Sequence, residues 1–298
     1  MMRYINAEYV KSIIPRKSRF DHKGRYGHLF VIAGCRYYIG AGKLCAKAGL
    51  RAGTGLVTLG APESVVGLMS SGLWEVIYFP LKDTGEGFIS EDGVGMALDF
   101  SSDKEAVVIG PGVGKHDSTV RFIKRFIKEA KVPLVVDADG LNAVGRDVSI
   151  FNERYCGTVL TPHPGEMARL LECTVKEVQS NRLDFALEYA KKSNSVVVLK
   201  GHNTIVANPD GEYVVNPTGG YGLAKGGSGD VLSGLIGGLL AQGMSPYHSA
   251  VAGVWIHGMA GDLAEKELHP RSIGASDLLE FIHEVWKILD PEPYRNED

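Results

Sequence analysis

The chemistry of this sequence concentrates in one run, Gly226-Gly227-Ser228-Gly229-Asp230. Glycines admit positive φ, and successive backbone N–H groups can then point at one spot. An apolar, helix-length stretch follows to Gln242. A helix beginning near Asp230 adds its positive end to the same place, giving an anion hole suited to phosphate. A carboxylate repels a phosphate that is merely bound there. Its presence makes sense if Asp230 takes the proton of a hydroxyl that attacks that phosphate. The plainer alternative is that Asp230 caps the helix and the glycines make a turn. The residues that follow include Ser233, Gly234, Gly237 and Gly238, which weaken a helix, so tight backbone packing is expected to require them. Lys225 precedes the glycines and no Lys-Ser/Thr pair follows, so the loop is not a Walker A loop.

Other stretches could face the same ligand. Gly110-Pro111-Gly112-Val113-Gly114 follows an apolar run, and glycine turns at the carboxyl ends of parallel strands are where α/β proteins place ligands. Asp137, Asp139 and Asn142 (DADGLN) end another such run; the paired carboxylates hold Mg²⁺ through water or cap the next helix. In Thr161-Pro162-His163-Pro164-Gly165-Glu166 two prolines fix the backbone around His163, which faces a ligand or serves structure. Lys200 to Thr204 (KGHNT) lies at the end of a buried strand, shortly before the anion loop. Lys225 is the one lysine next to that loop in sequence, so Mg²⁺ is expected to offset a nucleotide's charge.

The elements that position these residues read as strands alternating with helices. Strands are expected at 28–34, 56–59, 76–81, 106–110, 132–136, 157–160 and 195–201, and a hairpin at 204–215 turns on Asn208-Pro209-Asp210-Gly211. Helices are expected at 6–14, 40–53, 93–100, 118–130, 174–192, 245–268 and 277–289. Thr174 and Glu177 form a capping box, and Ser245-Pro246 an N-cap and first helical position. Strand–helix–strand order predicts a parallel sheet. Gly27, Gly34 and Gly40 do not have dinucleotide-fingerprint spacing. Charged residues at 16–26, among them Arg19, His22, Lys23 and Arg25, read as a solvated loop.

With 298 residues and no Gly/Pro/Ser-rich linker, one domain spanning 1–298 is expected. A net charge of -3 gives no reason to expect a nucleic-acid surface. No apolar run approaches the ~20 residues that span a bilayer, and the first residues lack a signal-peptide core, so no membrane partner is expected. Cys35, Cys45, Cys156 and Cys173 have neither CxxC nor metal-ligand spacing and read as reduced thiols of a cytoplasmic protein.

Together, TPHPGEMARL at Thr161–Leu170, LKGHNTIVA at Leu199–Ala207 and NPTGG…KGGSGDVLSG at Asn216–Gly234 resemble the ADP/ATP-dependent NAD(P)H-hydrate dehydratases of the ribokinase-like superfamily. DADGLN, GPGVG at Gly110–Gly114 and HKGRYGHLFVIAG at His22–Gly34 fit the same pattern, and the likeness runs from about Arg16 to about Leu279. GxGD occurs throughout the superfamily, whereas the HPGE segment is more selective. Leu223 stands where many relatives carry Met. The resemblance implies a three-layer α/β/α fold with a mostly parallel sheet. It also implies removal of water from the S epimer of NADHX or NADPHX, with ADP or ATP as phosphoryl donor; the ligands of the Mg²⁺ expected from the loop are not assigned. By motif, Asp230 is the general base. Ala41, Gly112, His163 and Asp230 contact the hydrate, and Gly226, Gly227 and Ser228 form the anion loop. Lys200, Gly201, His202, Asn203, Thr204 and Gly229 hold ADP or AMP. Relatives imply a homo-oligomer, a tetramer. The epimerase domain fused at the amino terminus of some relatives is not expected in a chain of this length. Two other functions share the loop: a kinase of hydroxymethylpyrimidine or hydroxyethylthiazole alcohols, which the HPGE segment disfavours, and a nucleotide sensor without turnover, which the intact GGSGD disfavours.

Overall fold

The computed structural model describes residues 3–15, 23–154 and 156–291. Arg19 and His22 of the basic stretch lie outside the described residues, as does the first residue of the His22–Gly34 motif. The strands are β1 (His28–Ile32), β2 (Leu56–Pro62), β3 (Ile77–Leu81), β4 (Ala106–Ile109), β5 (Leu134–Val136), β6 (Thr158–Leu160), β7 (Val196–Leu199), β8 (Thr204–Ala207) and β9 (Tyr213–Asn216). They form one sheet in the order β3-β2-β1-β4-β5-β6-β7-β8-β9. Neighbours from β3 to β7 are parallel. The β8–β9 hairpin closes one side antiparallel.

Helices α1 (Ala7–Ile13), α2 (Ile39–Arg51), α3 (Glu63–Met69), α11 (Ser228–Ala241), α12 (Pro246–Glu267) and α13 (Ala275–Leu289) cover one face. On the other lie α4 (Val94–Ser101), α5 (Asp117–Glu129), α6 (Asp139–Val144), α7 (Ser149–Asn152), α8 (Pro164–Leu171), α9 (Val175–Ser180) and α10 (Arg182–Ser193). Alternate residues along each strand feed the two faces: Leu29 and Val31 join one core cluster, Phe30 and Ile32 the other. The result is a three-layer α/β/α molecule.

Register decides where the loops emerge. Ile32 pairs with Ile109, Ile109 with Val136, and Val136 with Leu160. Gly34, Gly110, Asp137 and Thr161 therefore leave the sheet side by side. Strand order reverses between β1 and β4, and α/β proteins bind ligands in the crevice at such a switch point.

Three local differences from the sequence reading bear on the site. The helix expected to run from Thr174 to Lys192 is two helices, broken at Asn181 (φ −135°, ψ 46°). The break lets Arg182 reach carbonyl oxygens in the β7–β8 turn, 3.0 Å from Leu199 O and 3.3 Å from Lys200 O. Helix α11 starts at Ser228, so Asp230 is its third residue and Gly227, with φ 91°, is the N-cap. Helices α3 and α6–α8 carry no strong sequence period, being four to eight residues long.

Candidate active site

The Gly226–Asp230 loop sits where α11 crosses α2. A Cβ at Gly234 would lie 2.1 Å from Cys45 O, and one at Gly238 2.8 Å from Gly49 O, so the helices touch backbone to backbone. That contact is why α11 tolerates its glycines. It brings Leu44 of α2 under the loop, 2.6 Å from where a Gly227 Cβ would be.

Asp230 lies partly buried in the first turn of α11, and its carboxylate takes no hydrogen bond among the described residues. It caps nothing, since the N-cap is a glycine. Burial first, and the Asp137 and Asp139 charges after it, outweigh the lowering effect of Lys200 and push its pKa up to about 7. A carboxyl poised near neutrality can take a proton from a hydroxyl and give it back.

Asp137 is its opposite. At 1% exposure, its Oδ1 accepts from Lys200 Nζ at 2.8 Å and its Oδ2 from Ser233 Oγ at 2.7 Å. Asp139 accepts from Gly114 N at 3.0 Å and from Asn142 Nδ2 at 3.2 Å. Neither carboxylate caps α6, whose N-cap is Ala138 at φ 50°. Capping is thus not their role, and Asp137 is already committed to Lys200 and Ser233. Among the described residues no group of three or more His, Cys, Asp or Glu converges as a metal site. Such a lining suits an ion carried mainly by phosphate oxygens and water.

Sequence proximity pointed to Lys225 as the cation at the loop. The structure puts Lys225 elsewhere, donating to Arg271 O at 2.9 Å. Lys200 takes that place, its Nζ 3.4 Å from the position of a Gly229 Cβ. Burial works against its charge, but Asp137 and Glu166 outweigh that and raise its pKa, so it is an ammonium at neutral pH. Glu166, 5% exposed and 3.8 Å from Lys200 Nζ, was not singled out from the sequence. Its spacing from His163 was the available signal, because the two form a capping box for α8.

His163 is the N-cap of α8. Its Nδ1 accepts from Gly165 N at 3.0 Å and Glu166 N at 3.2 Å, so the neutral ring carries its proton on Nε2. Desolvation, and Lys200 after it, hold its pKa below the usual histidine value despite Glu166. Its Nε2 lies 3.3 Å from Glu166 Oε1, and with half the side chain exposed the ring face is left open. Ala41 and Gly112 are brought together: a Cβ at Gly112 (φ +62°) would lie 2.7 Å from those of Ala41 and Tyr38. Gly201, His202, Asn203 and Thr204 form the solvent-facing β7–β8 turn beyond Lys200, held from behind by Arg182. Under the loop, Ser228 Oγ meets His257 Nε2 at 3.1 Å; burial drives that imidazole's pKa down to about 4, so it stays neutral. Arg182 and His257 carried no sequence signal, and Ser233 only that of close helix packing, since only the fold brings them to the site.

Sheet order, layers and a glycine loop at the head of α11 define a ribokinase-like protein. A ribokinase-like superfamily structure from Enterococcus faecalis shares the fold at TM-score 0.77 and 24% identity, covering 95% of this chain and 96% of that one. The family model for NAD(P)H-hydrate dehydratase matches residues 29–284, and the chain belongs to that family. It is 33% identical over 282 residues to the ADP-dependent (S)-NAD(P)H-hydrate dehydratase of Bacillus subtilis, 94% of this chain and 96% of that protein. A crystal structure of the ADP/ATP-dependent NAD(P)H-hydrate dehydratase from that organism, co-crystallised with ATP/Mg²⁺, superposes at TM-score 0.86 with 32% identity, over 97% and 99% of the two chains. The bifunctional NAD(P)H-hydrate repair enzyme of Moorella thermoacetica is 40% identical over 290 residues, 97% of this chain but 55% of that protein. The chain thus spans about half the length of the bifunctional relatives it matches.

Proposed function

We propose that the chain, as one domain spanning 1–298, catalyses ADP-dependent dehydration of the S epimer of NADHX and NADPHX. The products are NADH or NADPH, AMP and phosphate. The observation that carries this reading is Asp230: an unpartnered carboxyl with a pKa of about 7, beside a glycine loop on a helix N-terminus. The family membership gives that geometry its substrate.

Hydroxide is a poor leaving group from C6 of the hydrated nicotinamide ring. Asp230 takes the proton of the 6-hydroxyl as its oxygen attacks the terminal phosphorus of ADP, and the bond to the AMP oxygen breaks. The Gly226–Gly229 amides and the Lys200 ammonium meet the charge that develops on the transferring group. The ring nitrogen's lone pair then expels phosphate with cleavage of the C6–O bond, and loss of a C5 proton restores the dihydronicotinamide. Ala41, Gly112 and His163 hold the hydrate; Lys200–Thr204 and Gly229 hold the adenine nucleotide. Mg²⁺ would supply charge neutralisation of the nucleotide phosphates, and Asp139, the less committed of the two carboxylates after β5, would hold it through water.

The test is recovery of dihydronicotinamide absorbance from an NADHX mixture, with ADP and ATP supplied separately and with excess chelator as a third arm. Recovery from the S epimer alone, lost in chelator, is the expected result. A stable phosphorylated product would mark a kinase, and no turnover a sensor. The cytoplasm is the compartment proposed, on the absence of a disulfide among Cys35, Cys45, Cys156 and Cys173. A tetramer is proposed on the family resemblance, and light scattering of the purified protein checks it. Among the described residues no helix is long and apolar enough to cross a membrane.

A further inference from the structure

A cavity of 840 Å³ opens beside the catalytic cluster and is not used by the mechanism above. Gly165 and Glu166 form its near wall; from there it runs between α6 and α8 towards Arg146 and Thr174. Its volume falls in the range of small-molecule sites, roughly 300–1,000 Å³. The eight residues of α8 give it a length of about 12 Å. A nicotinamide ring held at His163 would leave most of that space to the rest of a dinucleotide.

The walls carry two cations and two carboxylates. Glu166 is committed to His163 N at 2.8 Å and to the Lys200 ammonium. Glu172 is paired with Arg146, 2.5 Å away, so those two charges offset each other. Arg169 is the uncommitted charge. Its Nε donates to Asn142 Oδ1 at 3.2 Å, and its two terminal nitrogens donate no hydrogen bond among the described residues. Asn142 in turn donates to Asp139, which accepts from Gly114 N. A chain of hydrogen bonds thus runs from the Gly110–Gly114 turn to the guanidinium and leaves its fork over the cavity. A planar cation held by one edge, with the other free, is matched to phosphate oxygens.

We infer that this cavity is the subsite for the adenylate half of the dinucleotide hydrate, and that Arg169 binds a phosphate of that half. This rests on the dehydratase reading above. It gives the substrate a place distinct from that of ADP, which would lie across the anion loop at Lys200–Thr204. It also makes Arg169 a binding residue for the part of the substrate that does not react.

The experiment titrates the protein with NADH, NADPH and reduced nicotinamide mononucleotide, following dihydronicotinamide fluorescence, for wild type and Arg169→Gln. Losing one charge-assisted contact should weaken NADH and NADPH binding about ten- to hundredfold. The mononucleotide, which lacks the adenylate half, should bind both proteins alike. In turnover the loss should fall on KM for the hydrate, with KM for ADP unmoved. Equal weakening of the mononucleotide, or an unchanged NADH titration, overturns the assignment. A rise in KM for ADP instead would mean that the cavity belongs to the nucleotide. If wild type fails to turn over NADHX, the functional reading falls, yet the titrations still score the cavity. If turnover stands and the titrations show no dependence on Arg169, the cavity assignment falls alone.

Discussion

The two carboxylates at the centre of the site, Asp230 at the head of α11 and Asp137 at the end of β5, are withdrawn from water in different ways. Asp137 is buried with a cation on one oxygen and a hydroxyl on the other. Asp230 is withdrawn with no hydrogen-bond partner among the described residues, and its pKa climbs to about 7. Burial with partners makes a carboxylate a fixed strut joining β5, β7 and α11. Burial without them makes it a proton acceptor at neutral pH. The same side chain becomes scaffold or reagent according to whether its lone pairs are already spoken for.

The largest expected effect separates the two roles by rate. Asp230→Asn keeps size and removes the proton acceptor, so kcat should fall about 10²–10⁴-fold while ADP affinity holds or improves. A variant that melts like wild type and turns over within about threefold of it, well short of that range, refutes the base assignment. Next comes Asp137→Asn, where the loss should appear in stability. It leaves Lys200 without its closest charge, at a cost of about 3 kcal/mol, the lower end for breaking a buried pair, because Glu166 remains at 3.8 Å. A denaturation midpoint equal to wild type would remove Asp137 from the scaffold.

The comparison also makes a prediction in pH. A base with a pKa of about 7 is protonated below it, so kcat should fall about tenfold per pH unit on the acid side and level off above. A flat profile from pH 5 to 8, roughly the range over which such a group would titrate, contradicts it. Stability runs the other way. The folded pKa lies above the unfolded one, so ionising Asp230 costs stability as pH rises from its ordinary range to about 7, and the full penalty is present above that. Asp230→Asn should therefore be the more stable protein at pH 8, by about 1 kcal/mol, the size usual when a strained functional group is relieved. His163 gives the smallest effect and the finest distinction. His163→Ala should raise KM for the hydrate more than KM for ADP, but it also removes the cap of α8, worth about 1 kcal/mol. Asn caps well, so His163→Asn should restore the melting temperature without restoring KM. Recovery of both would make His163 a cap and nothing more.

Much of this site was legible before the fold was known, because its parts lie at strand ends. The 28–34, 106–110, 132–136, 157–160 and 195–201 runs are apolar and close on Gly, Asp, Thr-Pro or Lys-Gly, and those closing residues are the ones the register lines up. What could not be read was pairing across long separations. Lys200 and Asp137 are 63 residues apart, and Ser233 and Asp137 96 apart, so no local pattern joins them. Lys225 misled because nearness in sequence stood in for nearness in space. The short helix α8 escaped because it lacks the length for a helical period to show, although the His163–Glu166 spacing was a cap signal in plain view, and α6 entered only as the helix after DADGLN, without bounds.

The backbone contact between α11 and α2 has an effect beyond packing. A Cβ at Gly234 would need to recover more than an ångström from Cys45 O to reach ordinary contact. Gly234 stands one turn from Asp230, on the same rigid rod. Any relief obtained by sliding that rod moves the carboxylate, and a shift of about 1 Å at a reacting group can cost about a hundredfold in rate. In a mutational scan read by activity, positions 234, 237 and 238 would then stand out like catalytic residues. They would do so without touching a ligand, because what they encode is the coordinates of a carboxylate proposed to touch one.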